Sequence, residues 1–415
     1  MGVKKLIVPL LLVSFFVTGC GTDKQGSLEI SSHVDFGEED YQKIVSANNQ
    51  LGMDLLSVVE ANKDGNTFIS PTSLFMALSM VYNGADGKTK DEIAKVLQVE
   101  GIDGAELNQA NASLMSLLHS DSKKIQLNVA NSIWLNNQFH FQTDFAKKTR
   151  DYFNAKIQEM DILDHQSPEM INDWVKQATN GKIEEMVEAP LDSNLVAILL
   201  NAIYFKGGWT YGFDKKHTEQ RAFHLKDGTT KNLPLMTLNK ELAYTENKSF
   251  QAVSLPYGDG EMSMNVFLPK ENTSLEEFEK LLTNENWKNW MSEFHERKGT
   301  IMLPTFQMEY EVKLNETLKK LGMNSAFERD ANFTKMITEE EPLWISEVKQ
   351  KTYLDVNEEG TEAAAVTSVE VVAVSAPVDK PFHMEVNRPF FIVITDDETG
   401  TILFMGSISN PQEGK

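Results

Sequence analysis

The sequence predicts an α+β domain, and three observations carry the prediction. Helical spacing of apolar residues dominates the early chain and strand-like runs dominate the remainder, without the regular strand–helix alternation that builds a parallel α/β sheet. The run Leu195-Val196-Ala197-Ile198-Leu199-Leu200 is apolar throughout, which marks a strand buried on both faces. No repeat, low-complexity tract or Pro/Ser-rich spacer interrupts residues 41–411. The 415 residues, 41% of them hydrophobic, are therefore read as one large domain, although length alone suggests two or three.

Taken in order, Ile44, Ala47, Leu51, Leu55 and Val58 recur near helical spacing and predict a helix over about 40–60. Ser70 before Pro71 is an N-cap and first-turn pair, and Leu74, Ala77, Leu78 and Val81 continue it as a helix that stops near Gly84. Thr89-Lys90-Asp91-Glu92 has the form of a capping box opening a helix with Ile93, Val96 and Leu97. Strands are predicted at 125–129 and 133–135, then at 195–200, 252–255, 264–268, 299–303 and 348–356. A short helix is predicted over 315–321, and 390–395 with 401–407 reads as a closing hairpin around Asp396-Asp397-Glu398-Thr399-Gly400.

The amino terminus reads as a targeting segment. Lys4 and Lys5 precede an apolar run, 6–17, too short to span a bilayer as a stable helix. That run ends in Val17-Thr18-Gly19-Cys20, which resembles the lipobox of bacterial lipoproteins, where a lipid is attached to the cysteine sulfur. The resemblance implies a signal peptide over 1–19 and a lipidated Cys20 on a polar tether over 20–40, followed by the folded domain over 41–415. It implies export and anchoring to the outer face of a membrane. Cys20 is the only cysteine, so no disulfide can form within the chain.

The net charge is −22, or −24 once Lys4 and Lys5 leave with the signal segment. That balance argues against nucleic acid and against heparin-like polyanions as partners; the scattered acids read as a solvated surface. Catalytic constellations are not found: there is no Gly-x-Ser-x-Gly elbow, no His-Glu-x-x-His and no cysteine pair for zinc. Gly84-Ala85-Asp86-Gly87-Lys88-Thr89 lacks the first glycine of a phosphate loop, since residue 82 is Tyr82. The eight histidines show no metal-ligand spacing. The chain is expected to be no enzyme, and to need neither metal nor cofactor.

The stretch 358–381 has two characters. From Thr361 to Val374 there is no Pro, Gly or aromatic, and Val, Ala and Thr prevail, which suits a strand. Thr361, Ala363, Ala365, Thr367, Val369 and Val371 share one uncharged face, while Glu362 and Glu370 lie on the other. Yet Glu358-Glu359-Gly360 before it and Ala376-Pro377-Val378-Asp379-Lys380-Pro381 after it form a polar frame typical of an exposed loop. A segment able to be either is a candidate switch.

Asn357-Glu358-Glu359-Gly360-Thr361-Glu362-Ala363-Ala364-Ala365 resembles the reactive-loop hinge of inhibitory serpins. Val386-Asn387-Arg388-Pro389-Phe390-Phe391-Ile392-Val393 with Leu403-Phe404-Met405-Gly406 resembles that family's C-terminal signature. The landmarks 67–73, 83–85, 200–209 and 266–269 agree in order, so the resemblance covers nearly the whole chain. It implies three sheets, eight or nine helices and an exposed reactive loop. It also implies a serine protease inhibitor that acts as a suicide substrate. The protease forms an acyl-enzyme on the loop, and the cleaved loop enters the large sheet before hydrolysis.

Counted along the family pattern, the scissile bond is Val374–Ser375, with Val372, Ala373, Ala376 and Val378 open as alternatives because the stretch to Asn387 is longer than in familiar members. A valine there suits elastase- or subtilisin-like targets. Ser70, Ser73 and Asn201 match polar positions beneath the place where the sheet opens, and Trp209 matches the aromatic where the loop first enters. Gln350 stands where a histidine is often found, which removes a group that titrates near neutral pH. A monomer prone to heat polymerisation is expected, because 366–374 is β-prone and nearly uncharged. The rival reading is a non-inhibitory binding or chaperone protein, cleaved only as a substrate.

Overall fold

A computed structural model describes residues 30–119, 124–361 and 380–414. Four helices lead: α1 (Gln42–Leu56), α2 (Pro71–Gly84), α3 (Gly87–Leu97) and α4 (Gly104–Leu118). Next come β1 (Ile125–Asn136), α5 (Thr143–Phe153), β2 (Lys156–Met160), α6 (Ser167–Ala178) and β3 (Ala197–Gly208). The middle holds β4 (Glu219–His224), β5 (Thr230–Glu246), β6 (Phe250–Tyr257), β7 (Met262–Pro269), α7 (Leu275–Glu279) and α8 (Asn284–Glu293). Then come β8 (His295–Pro304), β9 (Phe306–Lys313), α9 (Asn315–Leu321), β10 (Glu347–Asn357) and β11 (Gly360–Thr361). The chain closes with β12 (Phe382–Glu385), β13 (Phe390–Asp396) and β14 (Ile402–Ile408).

One sheet has six strands in the order β2-β1-β3-β11-β10-β9, and the other has eight. The family resemblance implied three sheets. Among the described residues, hydrogen bonding joins the strands into two, because the 17-residue β5 pairs with β4 at its start, β8 along most of its length and β6 at its end.

The helix α2 is buried at every position except Asn83, as expected of a helix apolar on nearly all sides, and lies between the two sheets. The Ser70 hydroxyl accepts a hydrogen bond from the Ser73 N–H at 3.2 Å, the cap expected from the sequence. The capping box expected at Thr89 is not there. The helix begins at Gly87, and tertiary partners claim both side chains: Thr89 Oγ1 accepts from the Asn332 N–H, while Glu92 accepts from the N–H groups of Asn324 and Ser325. A capping box does open α7, where Ser274 and Glu277 exchange bonds. The two strands expected at 125–129 and 133–135 are one continuous strand, paired along its length with β3.

Candidate functional site

The six-stranded sheet has a seam where β3 and β10 run parallel, with Gln350 in register with Asn201. Alternation along each strand turns both side chains toward α2. Gln350 Oε1 accepts from the Ser70 N–H at 3.0 Å, and its Nε2 donates to Ser70 O at 2.9 Å and Asn201 Oδ1 at 2.6 Å. Asn201 Nδ2 in turn donates to Ser73 Oγ and to Asn131 Oδ1. Ser70 Oγ donates to Leu403 O at 2.7 Å. Ser70, Ser73, Asn201 and Gln350 are all fully buried. Of the four residues expected from the sequence, Ser73, Asn201 and Gln350 therefore meet through their side chains and Ser70 through its backbone, and together they clamp both strands of the seam to the head of α2. The backbone N–H of Ser70 fixes the orientation of the Gln350 amide, since only its oxygen can accept there. Two members were not foreseen: Asn131 on β1, and Thr352, whose hydroxyl donates to Phe68 O at 2.7 Å. Asn131 shares its face of β1 with the apolar Val129 and Ile133, and Thr352 follows the polar run Lys349-Gln350-Lys351; neither carries a local signal of its role.

At one end of the seam a third strand has begun. Gly360 and Thr361 form β11, antiparallel to β3 through Gly208 and Gly207 and antiparallel to β10 through Asn357 and Val356. Space is the reason residue 360 is a glycine. A Cβ on Gly360 would lie 2.1 Å from Gly207 O, and its φ of +148° is one that other residues rarely adopt. Trp209 stacks on Tyr257 with ring centroids 4.4 Å apart, and its Nε1 donates to Asn357 O at 2.9 Å. Thr361 Oγ1 lies 2.6 Å from the Tyr257 hydroxyl, and both side chains are fully buried. Burial pushes that phenol well above the ordinary tyrosine range.

The hinge approaches along a fixed path. The Trp209 and Phe213 N–H groups donate to Glu359 O at 3.1 Å and Glu358 O at 2.9 Å. Thr218 Oγ1 donates to Glu358 Oε1 at 2.7 Å, and Lys215 pairs with Glu359 at 2.7 Å. That hydrogen bond with Glu359 raises the Lys215 ammonium above its usual value. Of the expected hinge residues, Gly360 and Thr361 are thus seated in the sheet, and Glu358 and Glu359 form the turn that leads into them. Glu362, Ala363, Ala364 and Ala365, the bond Val374–Ser375 and Cys20 lie outside the described residues. Among the described residues no group of His, Cys, Asp or Glu is arranged to hold a metal, and no helix is long and apolar enough to cross a membrane.

The six-stranded sheet thus holds a two-residue strand between β3 and β10 at one end of the seam. The model of the family described as serpin (serine protease inhibitor) matches residues 46–411. Iripin-2 of Ixodes ricinus is 33% identical over 88% of this chain and 93% of that protein. Serpin I2 of Homo sapiens is 30% identical over 91% and 94%. Among solved structures, the thermophilic serpin tengpin in its native state matches with a TM-score of 0.82 and 32% identity, covering 92% of this chain and 97% of that one. The chain belongs to the serpin family, whose members are generally protease inhibitors. The expectation that it is no enzyme is corrected to a narrower statement. The matched family is described by inhibition of serine proteases, which makes no direct claim about catalysis by this chain.

Proposed function

We propose that the protein inhibits serine proteases as a suicide substrate, with Val374–Ser375 as the bond attacked and elastase- or subtilisin-like enzymes as targets. The observation that carries the reading is β11. Its two residues occupy the place, and have the antiparallel direction, that a fully inserted loop needs. Continuing its register would put Thr367 between Asn201 of β3 and Gln350 of β10, polar beside polar, and Val369 between Leu199 and Val348, both buried and apolar. The charged residues Glu362 and Glu370 would fall on the other face, so the uncharged side of the loop meets the interior.

The chemistry begins as ordinary acyl transfer: the protease serine attacks the Val374 carbonyl, the Val374–Ser375 peptide bond breaks, the serine proton passes through the protease's own base to the departing Ser375 amine, and an ester joins the two proteins. Zipping the freed strand into the seam supplies the driving force, because each added pair brings ladder hydrogen bonds and buried apolar surface. The Gln350 clamp must part and re-form around the incoming strand. Lipid on Cys20 would hold the domain at the outer face of a membrane, which mass spectrometry of the N-terminal peptide tests directly.

The deciding experiment mixes the protein with an elastase-type and a subtilisin-type protease, runs a denaturing gel, and determines the mass of any released C-terminal peptide. A boiling-resistant band of summed mass supports the covalent trap, and the first residue of the peptide identifies the bond. Cleavage that leaves the protease active overturns the reading in favour of a non-inhibitory binding protein.

A further inference from the structure

A cavity of about 320 Å³ lies between the end of α8 and the eight-stranded sheet. Leu242 of β5, with Met291 and Phe294 at the end of α8, gives it an apolar wall. Its polar lining includes Asn265 of β7 and the carboxylates of Glu241, Glu296 and Asp397. Among the described residues no basic side chain lines it, and α1 contributes nothing to it. Lys298 stands opposite Glu241 in the β5–β8 ladder, which leaves Glu296 and Asp397 as the charges the cavity offers. A chain of hydrogen bonds orients the floor. Ser263 Oγ donates to Asp397 Oδ2 at 2.6 Å, and Thr395 Oγ1 donates to Asp397 Oδ1 at 3.2 Å. An ionised carboxylate only accepts, so the Thr395 proton is committed to Asp397 and the Thr395 oxygen accepts from Asn265 Nδ2 at 3.0 Å. That order fixes the amide. Its other atom, Oδ1, meets no donor among the described residues, although Asn265 is 0% exposed.

We propose that this cavity binds a small primary ammonium compound with an apolar body, whose N–H donates to Asn265 Oδ1 and whose charge faces Asp397 and Glu296. A buried acceptor without a donor is costly, and a ligand that brings the donor relieves it. The carboxylates select the sign of that ligand: an anion meets like charge, and a neutral donor leaves the charges unanswered. A metal ion does not fit, because no group of carboxylates among the described residues is arranged to hold one. The apolar wall of Leu242, Met291 and Phe294 then takes the rest of the molecule. The volume is at the lower end for small-molecule sites, which suits an arylalkyl amine.

The test titrates phenethylamine in its charged form into the full-length chain by isothermal calorimetry, with 2-phenylethanol as the neutral counterpart and calcium chloride as an inorganic cation. The wild type is expected to bind the amine with a Kd of about 1 mM or tighter, and at least about tenfold more tightly than the alcohol. Asn265→Leu keeps the volume and removes the acceptor, and Asp397→Asn keeps the shape and removes the charge; each is expected to weaken the amine by about tenfold, the scale of one lost charge-assisted bond. If Asn265→Leu does not fold, Asp397→Asn decides alone. Equal affinity for amine and alcohol, displacement of the amine by calcium at constant ionic strength, or full affinity kept in either variant overturns the proposal. So does a wild type that binds no amine. Nα-acetyl-lysinamide is titrated alongside, and tighter binding of it than of phenethylamine would assign the cavity to a lysine of another protein and overturn the small-amine reading.

Discussion

Gly360→Ala is the smallest change that separates the seated hinge from a free one. At φ +148° a side chain is strained, and its Cβ would sit 2.1 Å from Gly207 O and 2.7 Å from Gly208 Cα, both backbone atoms of a central strand that cannot yield cheaply. The strain alone costs about 1–3 kcal/mol, and displacing β3 adds to it. Against this stand a few hydrogen bonds of the seated hinge, including Thr361 to Tyr257, each worth about 0.5–1.5 kcal/mol net. The substitution should shift the seated-to-free equilibrium by at least about tenfold. Hydrogen exchange of the amides at 360 and 361 reads that equilibrium, and both should lose protection while the Gln350 clamp keeps its own. The same variant should trap a smaller fraction of protease and be cleaved more often as a substrate, because the first residues to enter no longer fit. Wild-type protection at 360 and 361 in Gly360→Ala would refute the reasoning.

Three further outcomes are expected. Gln350→Ala leaves the Ser70 N–H and Asn201 Oδ1 buried without their partner, so the urea midpoint should drop by the equivalent of about 1–3 kcal/mol; an unchanged midpoint would show the clamp to be incidental. Asp397 is exposed as a residue, but its carboxyl packs against Ser263 and Thr395, and desolvation lifts it to about 6 from 3.8. A carboxyl raised on folding contributes stability below its unfolded value that is lost as pH rises through about 6. Asp397→Asn should therefore flatten the fall in unfolding midpoint between pH 4 and pH 7, and an unaltered pH profile would count against it. Prolonged warming near the onset of unfolding should yield ordered polymers on native gels, since a loop from one molecule can fill the seam of another; monomer alone, or amorphous precipitate, would exclude this.

Local signals are legible in this chain where no distant partner competes for them. Ser70 with Pro71 is readable as a helix start because capping is local, and the cap is present. Thr89 and Glu92 have the same local form, yet both side chains are taken by the 324–332 region, a competition no local pattern records. The long β5 escapes sequence reading because polar residues and Pro234 interrupt its alternation, and it is held instead by partners on both sides. The burial of Lys349 and Lys351 goes with bonds to Met186 O and Glu185 O, partners far from them in the chain that no local pattern records.

The class of fold, the hinge with its uncharged face, and the set of polar residues at the seam can all be read from the chain alone. These depend on periodicity, on glycine where backbone must approach backbone, and on a long motif shared with a family. It takes the folded chain to show that Gly360 and Thr361 are already seated between β3 and β10, that Gln350 holds both α2 and Asn201, and that Lys349 and Lys351 donate to the carbonyls of Met186 and Glu185. Each of these is a contact between residues far apart in the chain. Its geometry is set by how sheets and helices close around a common core, which neighbouring residues cannot specify.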